Sequence, residues 1–84
     1  MNIYVGNLDF KVKEDELEAI FEKYGTVSSV SIITDKFSGR SKGFGFVNME
    51  NQDEAKKAIK ALNGTTLENR EITVNEARPR KNNY

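Results

Sequence analysis

Two stretches of the chain repeat their apolar residues every three to four positions, and two stretches between them are apolar at alternate positions. In residues 14–24, EDELEAIFEKY, Leu17, Ile20, Phe21 and Tyr24 fall on one face of a helix. In residues 51–62, Ala55, Ala58, Ile59 and Leu62 do the same. The intervening segments, VSSVSIIT at 27–34 and KGFGFVNM at 42–49, carry the alternation and the β-branched or aromatic content of strands. DKFSGRS at 35–41 joins them as a turn with Gly39 near its tip. A further strand reads at each end: NIYVG at 2–6, closed by Gly6 and Asn7, and EITVNEA at 71–77, with 65–70 an irregular connection. The order is βαββαβ.

Local signals set the helix ends. Glu14, Asp15 and Glu16 suit the positive end of the first helix dipole. Lys13 stands where an N-cap Ser, Thr or Asp is usual, which predicts a fraying start, and Gly25 is the predicted left-handed C′ residue. Asn51 followed by Glu54 predicts a capping box on the second helix, and Gly64 ends it. Eighty-four residues support one core. Right-handed crossovers then place both helices on one face of a four-stranded antiparallel sheet, an α+β, ferredoxin-like βαββαβ sandwich. The domain reads as 1–78, with 79–84 a short basic tail.

Strand side chains alternate between faces, so parity decides what lies under the helices. Ile3, Val5, Val30, Ile32, Val47, Met49, Ile72 and Val74 form one set; Tyr4, Ser31, Ile33, Phe44, Phe46, Asn48, Thr73 and Asn75 form the other. Burying the second set would strand Ser31, Thr73 and Asn75 without partners, at roughly 1–3 kcal/mol each. The first set therefore faces the helices, and Tyr4, Phe44 and Phe46 lie on a face with no covering layer, which marks a binding surface. Gly43 and Gly45 flank Phe44, and a flat approach to the rings accounts for them. The competing account makes the aromatics core, covered by the tail or a second chain; the polar tail is a poor lid.

Thirteen basic residues balance thirteen acidic ones, which excludes a simple polycation. There is no cysteine and no histidine, so there is no disulfide framework, no ready nucleophile or base, and no ordinary zinc ligand set. No enzyme, cofactor or metal is expected. No apolar run approaches the about 20 residues of a membrane span, and the start lacks a secretory signal. A soluble, cytoplasmic domain is the expectation. Exposed rings among cationic and amide groups suit unpaired bases, since each base–aromatic stack is worth about 1–3 kcal/mol. Candidate phosphate contacts are Lys42, Lys36, Arg40, Arg78 and Arg80, with Lys81; candidate readers of base edges are Asn48, Asn75, Thr73, Ser31 and Asn7.

KGFGFVNM, residues 42–49, resembles the RNP1 octamer of RNA-recognition motif (RRM) domains, K/R-G-F/Y-G/A-F-V-x-F/Y, through its first six positions. IYVGNL, residues 3–8, is similar to the RNP2 hexamer, and the two sit on the first and third strands as in that family. The stretch 34–47, TDKFSGRSKGFGFV, is also typical of it. The resemblance covers residues 2–77 and implies that Tyr4, Phe44 and Phe46 stack two or three nucleotides of single-stranded RNA while Lys42 neutralises a phosphate. Met49 departs from the aromatic at the eighth RNP1 position, and Lys13 from the usual Thr or Ser. The span of the chain looks like the short stand-alone bacterial single-RRM proteins, the cyanobacterial ones included. It also resembles the domain of plant glycine-rich RNA-binding proteins, without their tail. An excised domain of a larger protein is the other reading.

The expected function is single-stranded RNA binding by a monomer, in post-transcriptional control or as an RNA chaperone, with bases stacked on Tyr4, Phe46 and Phe44, phosphate contacts from Lys42, Arg40 and the basic residues after the fourth strand, and Ile33 among the RNA-binding residues. The alternatives are a protein-interaction module, with the acidic helix 14–24 as its surface, and a single-stranded DNA binder. The intact RNP aromatics speak against the protein module, and the charge partition does not argue against nucleic acid. Residues 9–25 hold six acids and three bases (−3) and residues 46–75 five and four (−1). Residues 35–45 and 76–84 each hold one acid and three bases (+2 apiece), so the zero total is a cancellation.

Overall fold

The computed structural model describes residues 1–77. The elements are β1 Asn2–Gly6, α1 Glu14–Glu22, β2 Ser29–Thr34, β3 Ser41–Asn48, α2 Gln52–Leu62, β4 Thr66–Leu67, β5 Arg70–Glu71 and β6 Thr73–Glu76. The main sheet has four antiparallel strands in the order β2-β3-β1-β6. It is the expected α+β, ferredoxin-like arrangement. The two RNP-like segments, β1 and β3, occupy its centre.

Parity holds along the central strands. Ile3, Val5, Val47, Met49, Ile72 and Val74 are buried together with Leu17 and Phe21 of α1 and Ala55, Ala58 and Leu62 of α2. Removing each large side chain from water contributes about 1.5–3 kcal/mol. Among the described residues no polar or charged residue is buried, as the choice of faces required. Val30 and Ile32, on the edge strand β2, are only partly buried. The Glu14 carboxylate accepts from the Ile32 N–H at 3.1 Å and so occupies a donor on that edge.

Several boundaries differ from expectation. The first helix ends at Glu22, and the Tyr24 N–H donates to Phe21 O at 3.0 Å in a tighter closing turn. Gly25 is not left-handed. Its missing Cβ makes room for Glu54, whose Cβ lies 2.6 Å from where a side chain would start. Lys13 provides no side-chain cap, as predicted. The capping box forms by half: Asn51 Oδ1 accepts from Glu54 N–H at 3.0 Å, while the Glu54 carboxylate accepts from Thr26 N–H at 3.3 Å and ties α2 to the α1–β2 turn. Gly64 follows α2 at φ +84.

The segment 65–70 is not irregular, and 71–77 is not one strand. Thr66 pairs with Glu71 and Leu67 with Arg70 in a short hairpin, and Ile72 separates it from β6. Both central turn residues, Glu68 and Asn69, have positive φ (51° and 69°), the signature of a type I′ turn. The expected strand 27–34 begins at Ser29, and 42–49 is shifted to Ser41–Asn48.

Candidate functional site

The site is built on a cross-strand row. Phe46 of β3 lies opposite Ser31 of β2 on one side and Tyr4 of β1 on the other, and Tyr4 lies opposite Asn75 of β6. Ser31, Phe46, Tyr4 and Asn75 therefore cross the open face at right angles to the strands. Phe44 stands two residues along β3. The three rings form a near-equilateral triangle, with centroids 5.9 Å apart for Tyr4–Phe46, 6.0 Å for Tyr4–Phe44 and 6.2 Å for Phe44–Phe46. Tilted and edge-on pairing holds the rings in place without closing their outer faces, and each ring is part-exposed.

Three glycines shape this surface, for reasons other than an uncrowded approach. At Gly6 a Cβ would lie 2.8 Å from Cε2 and Cζ of Tyr4, so the ring rests on the space that Gly6 leaves. Gly45 faces β2: a Cβ there would collide with the Ser31 carbonyl oxygen and sit 3.0 Å from Ile32 Cα. Gly43 adopts φ +87, which disfavours any side chain, in the register shift where β3 carries extra residues against β2. Its carbonyl accepts from Leu8 N–H at 2.8 Å and continues the β1–β3 pairing past Gly6.

The remaining predicted residues surround the triangle unequally. Lys42 is exposed at the start of β3; Ile33 and Asn48 are half-buried; Asn75 is exposed. Lys36 and Arg40 are exposed in the β2–β3 loop, which Asp35 organises by accepting from Phe37 N–H at 2.7 Å and Ser38 N–H at 3.2 Å. Asn7 is left-handed (φ 57) and its amide is engaged at both atoms: Nδ2 donates to Glu71 O at 2.6 Å, and Oδ1 accepts from Arg70 Nη2 at 2.8 Å. Arg78 and Arg80 lie outside the described residues.

Gly6, Phe10 and Arg70 did not emerge from the sequence as part of this region. Gly6 shares the parity of Tyr4, which was a usable signal. Arg70 carried none, because its contact with Asn7 spans 63 positions. Acids gather behind the sheet. Glu18 is pushed above the ordinary carboxylate value chiefly by the charge of Glu22, and Glu16 by partial desolvation and then by Glu68. None of the open-face strand residues assigned by parity is acidic.

Comparison with known proteins agrees with this geometry. The family model for the RNA recognition motif matches residues 3–73. The chain is 48% identical to RbpA of Synechocystis sp., a protein named for RNA binding, over 98% of this chain and 81% of that one. It superimposes on the crystal structure of RNA Binding Protein PG1 with a TM-score of 0.91 at 45% identity, covering 98% of this chain and 99% of that one. A solved Sxl-lethal protein/RNA complex is similar at a TM-score of 0.89 and 34% identity, covering 95% and 48% of the two chains. Among the described residues no helix is long and apolar enough to cross a membrane.

Proposed function

The chain belongs to the RNA recognition motif family, and on that premise we propose that it binds single-stranded RNA without catalysis, by stacking bases on Tyr4, Phe46 and Phe44. The observation that carries this reading is the ring triangle, with centroids about 6 Å apart on a sheet face that no helix among the described residues covers. Ser31 and Asn75 end the row on which two rings lie, so hydrogen-bonding groups flank the stacked bases. Lys42, Lys36 and Arg40 approach from the β3 end and the adjoining loop, where they meet phosphates. Ile33 and Asn48 extend the platform along β2 and β3, and Arg78 and Arg80 add charge after the last strand. The chain acts as a cytoplasmic monomer in post-transcriptional regulation or as an RNA chaperone, with no metal or cofactor.

An RNA titration followed by NMR tests the site. Shifts are expected on Tyr4, Phe44 and Phe46, and Tyr4→Ala and Phe46→Ala should each weaken binding by about 1–3 kcal/mol while the fold persists. Shifts confined to α1 and α2 would overturn it. Selection from a mixed random RNA and DNA pool decides between the two sugars.

A further inference from the structure

We propose that the ring triangle is adjoined by a further nucleotide subsite, formed by Phe10, Lys42 and Arg70 beyond the Tyr4 ring, which takes the phosphate-bearing nucleotide next to the one stacked on Tyr4. The inference rests on the RNA-binding reading and extends its footprint off the end of the sheet.

A cavity of about 330 Å³ opens where the chain leaves β1 and enters β3. Tyr4, Phe44 and Phe10 supply its aromatic walls, and Lys42 and Arg70 its charge; among the described residues no carboxylate lines it. Its size falls in the range of small-ligand clefts. Phe10 is 71% exposed, so a large ring is presented to water beside two rings already suited to bases. Two cations with no acid between them select an anion, and a base on an adjoining ring brings one with it as its phosphate.

Arg70 reaches this cavity through a built arrangement. The Glu68–Asn69 turn, with both residues at positive φ, directs Arg70 back towards β1. Asn7, itself left-handed, holds Arg70 Nη2 at 2.8 Å and is braced by its own donation to Glu71 O at 2.6 Å. A guanidinium has five N–H donors, so fixing one nitrogen orients the group and leaves donors for a phosphate. Such pre-ordering reduces the entropy lost on binding.

Fluorescence anisotropy with two labelled RNAs tests the subsite: one of about three nucleotides, which the triangle alone accommodates, and one of about eight, which extends past it. On the longer RNA, Arg70→Gln should lower affinity about 5–10-fold and reduce the slope of log K against log salt by about 0.7, the loss of one phosphate contact on a single strand. Phe10→Ala should lower it by at least about 5-fold, the low end of one stacked base. Neither should alter binding of the shorter RNA, and Arg70→Lys should keep the salt slope. Equal weakening on both lengths would overturn the subsite, as would an unchanged affinity and slope for Arg70→Gln on the longer RNA while Tyr4→Ala still weakens it. If Tyr4→Ala has no effect on either RNA, the base-stacking reading itself falls, and the subsite with it. Urea unfolding of each variant identifies a folding defect directly.

Discussion

The two faces of the sheet are made from the same strands and do opposite work. Along β3, Val47 is buried and Phe46, its neighbour, shows part of its ring to solvent. The covered face packs aliphatic residues against Leu17, Phe21, Ala55, Ala58 and Leu62, and among the described residues no polar one is buried there. The open face sets its largest side chains in a triangle that stays part-exposed. On the proposed function, stability and binding are separated by parity: a one-position step along β1 or β3 crosses from one to the other.

That separation is broken most directly in the core. Phe21 is fully buried between α1 and the sheet. Phe21→Ala should lower unfolding free energy by about 3–5 kcal/mol in urea titrations. The fraction that remains folded should bind RNA as the parent does. A large loss of intrinsic affinity in that fraction would mean the faces are mechanically coupled.

The same substitution at two glycines sharpens the contrast. Gly45→Ala pushes a methyl group against backbone, the Ser31 carbonyl and Ile32 Cα, which cannot swing aside. It should destabilise by about 1–3 kcal/mol, read as a lower urea midpoint. Gly6→Ala instead meets the ring of Tyr4, which turns on its own χ angles. Stability should hardly change, while RNA affinity falls by about 1 kcal/mol, the low end of one base–aromatic stack. If Gly6→Ala costs stability and leaves affinity intact, the seat of the Tyr4 ring has been misassigned.

These glycines also mark how far the sequence could be read. Alternation alone separates Tyr4, Phe44 and Phe46 from Ile3, Val5 and Val47, because period two is a property of each strand by itself. The apolar faces of both helices were legible for the same reason. What escaped depends on approach between distant segments. Gly25 looks like a helix stop and is instead the place where Glu54 packs. Gly45 looks like a concession to ligand and instead admits β2. The β4–β5 hairpin has Glu68–Asn69 where Asn-Gly or Asp-Gly would announce a type I′ turn, so its sequence does not declare the positive φ of both residues. Arg70 enters the binding region only because that hairpin folds it back.

The smallest expected effect lies where the acidic helix behind the sheet meets the same hairpin. The Glu16 carboxyl is raised above its ordinary 4.5 by partial desolvation, and then by the hydrogen bond and charge of Glu68 at the hairpin turn. A raised carboxyl means that the folded state holds its proton more tightly than the unfolded chain does. Its contribution to stability is therefore complete below the ordinary value and is lost as pH rises through the raised one. Glu68→Gln removes the opposing charge, so the variant should match the parent near about pH 3.5 and exceed it slightly near about pH 7. The gain should stay below about 0.5 kcal/mol, because Glu68 is exposed and solvent screens its charge at the half-buried Glu16. Paired urea midpoints at the two pH values measure it. RNA affinity measured alongside should not move, since neither carboxylate lies on the ring face; a shift in affinity would show that charge on the helix side reaches the bound strand and that the two faces are less separate than their parity implies.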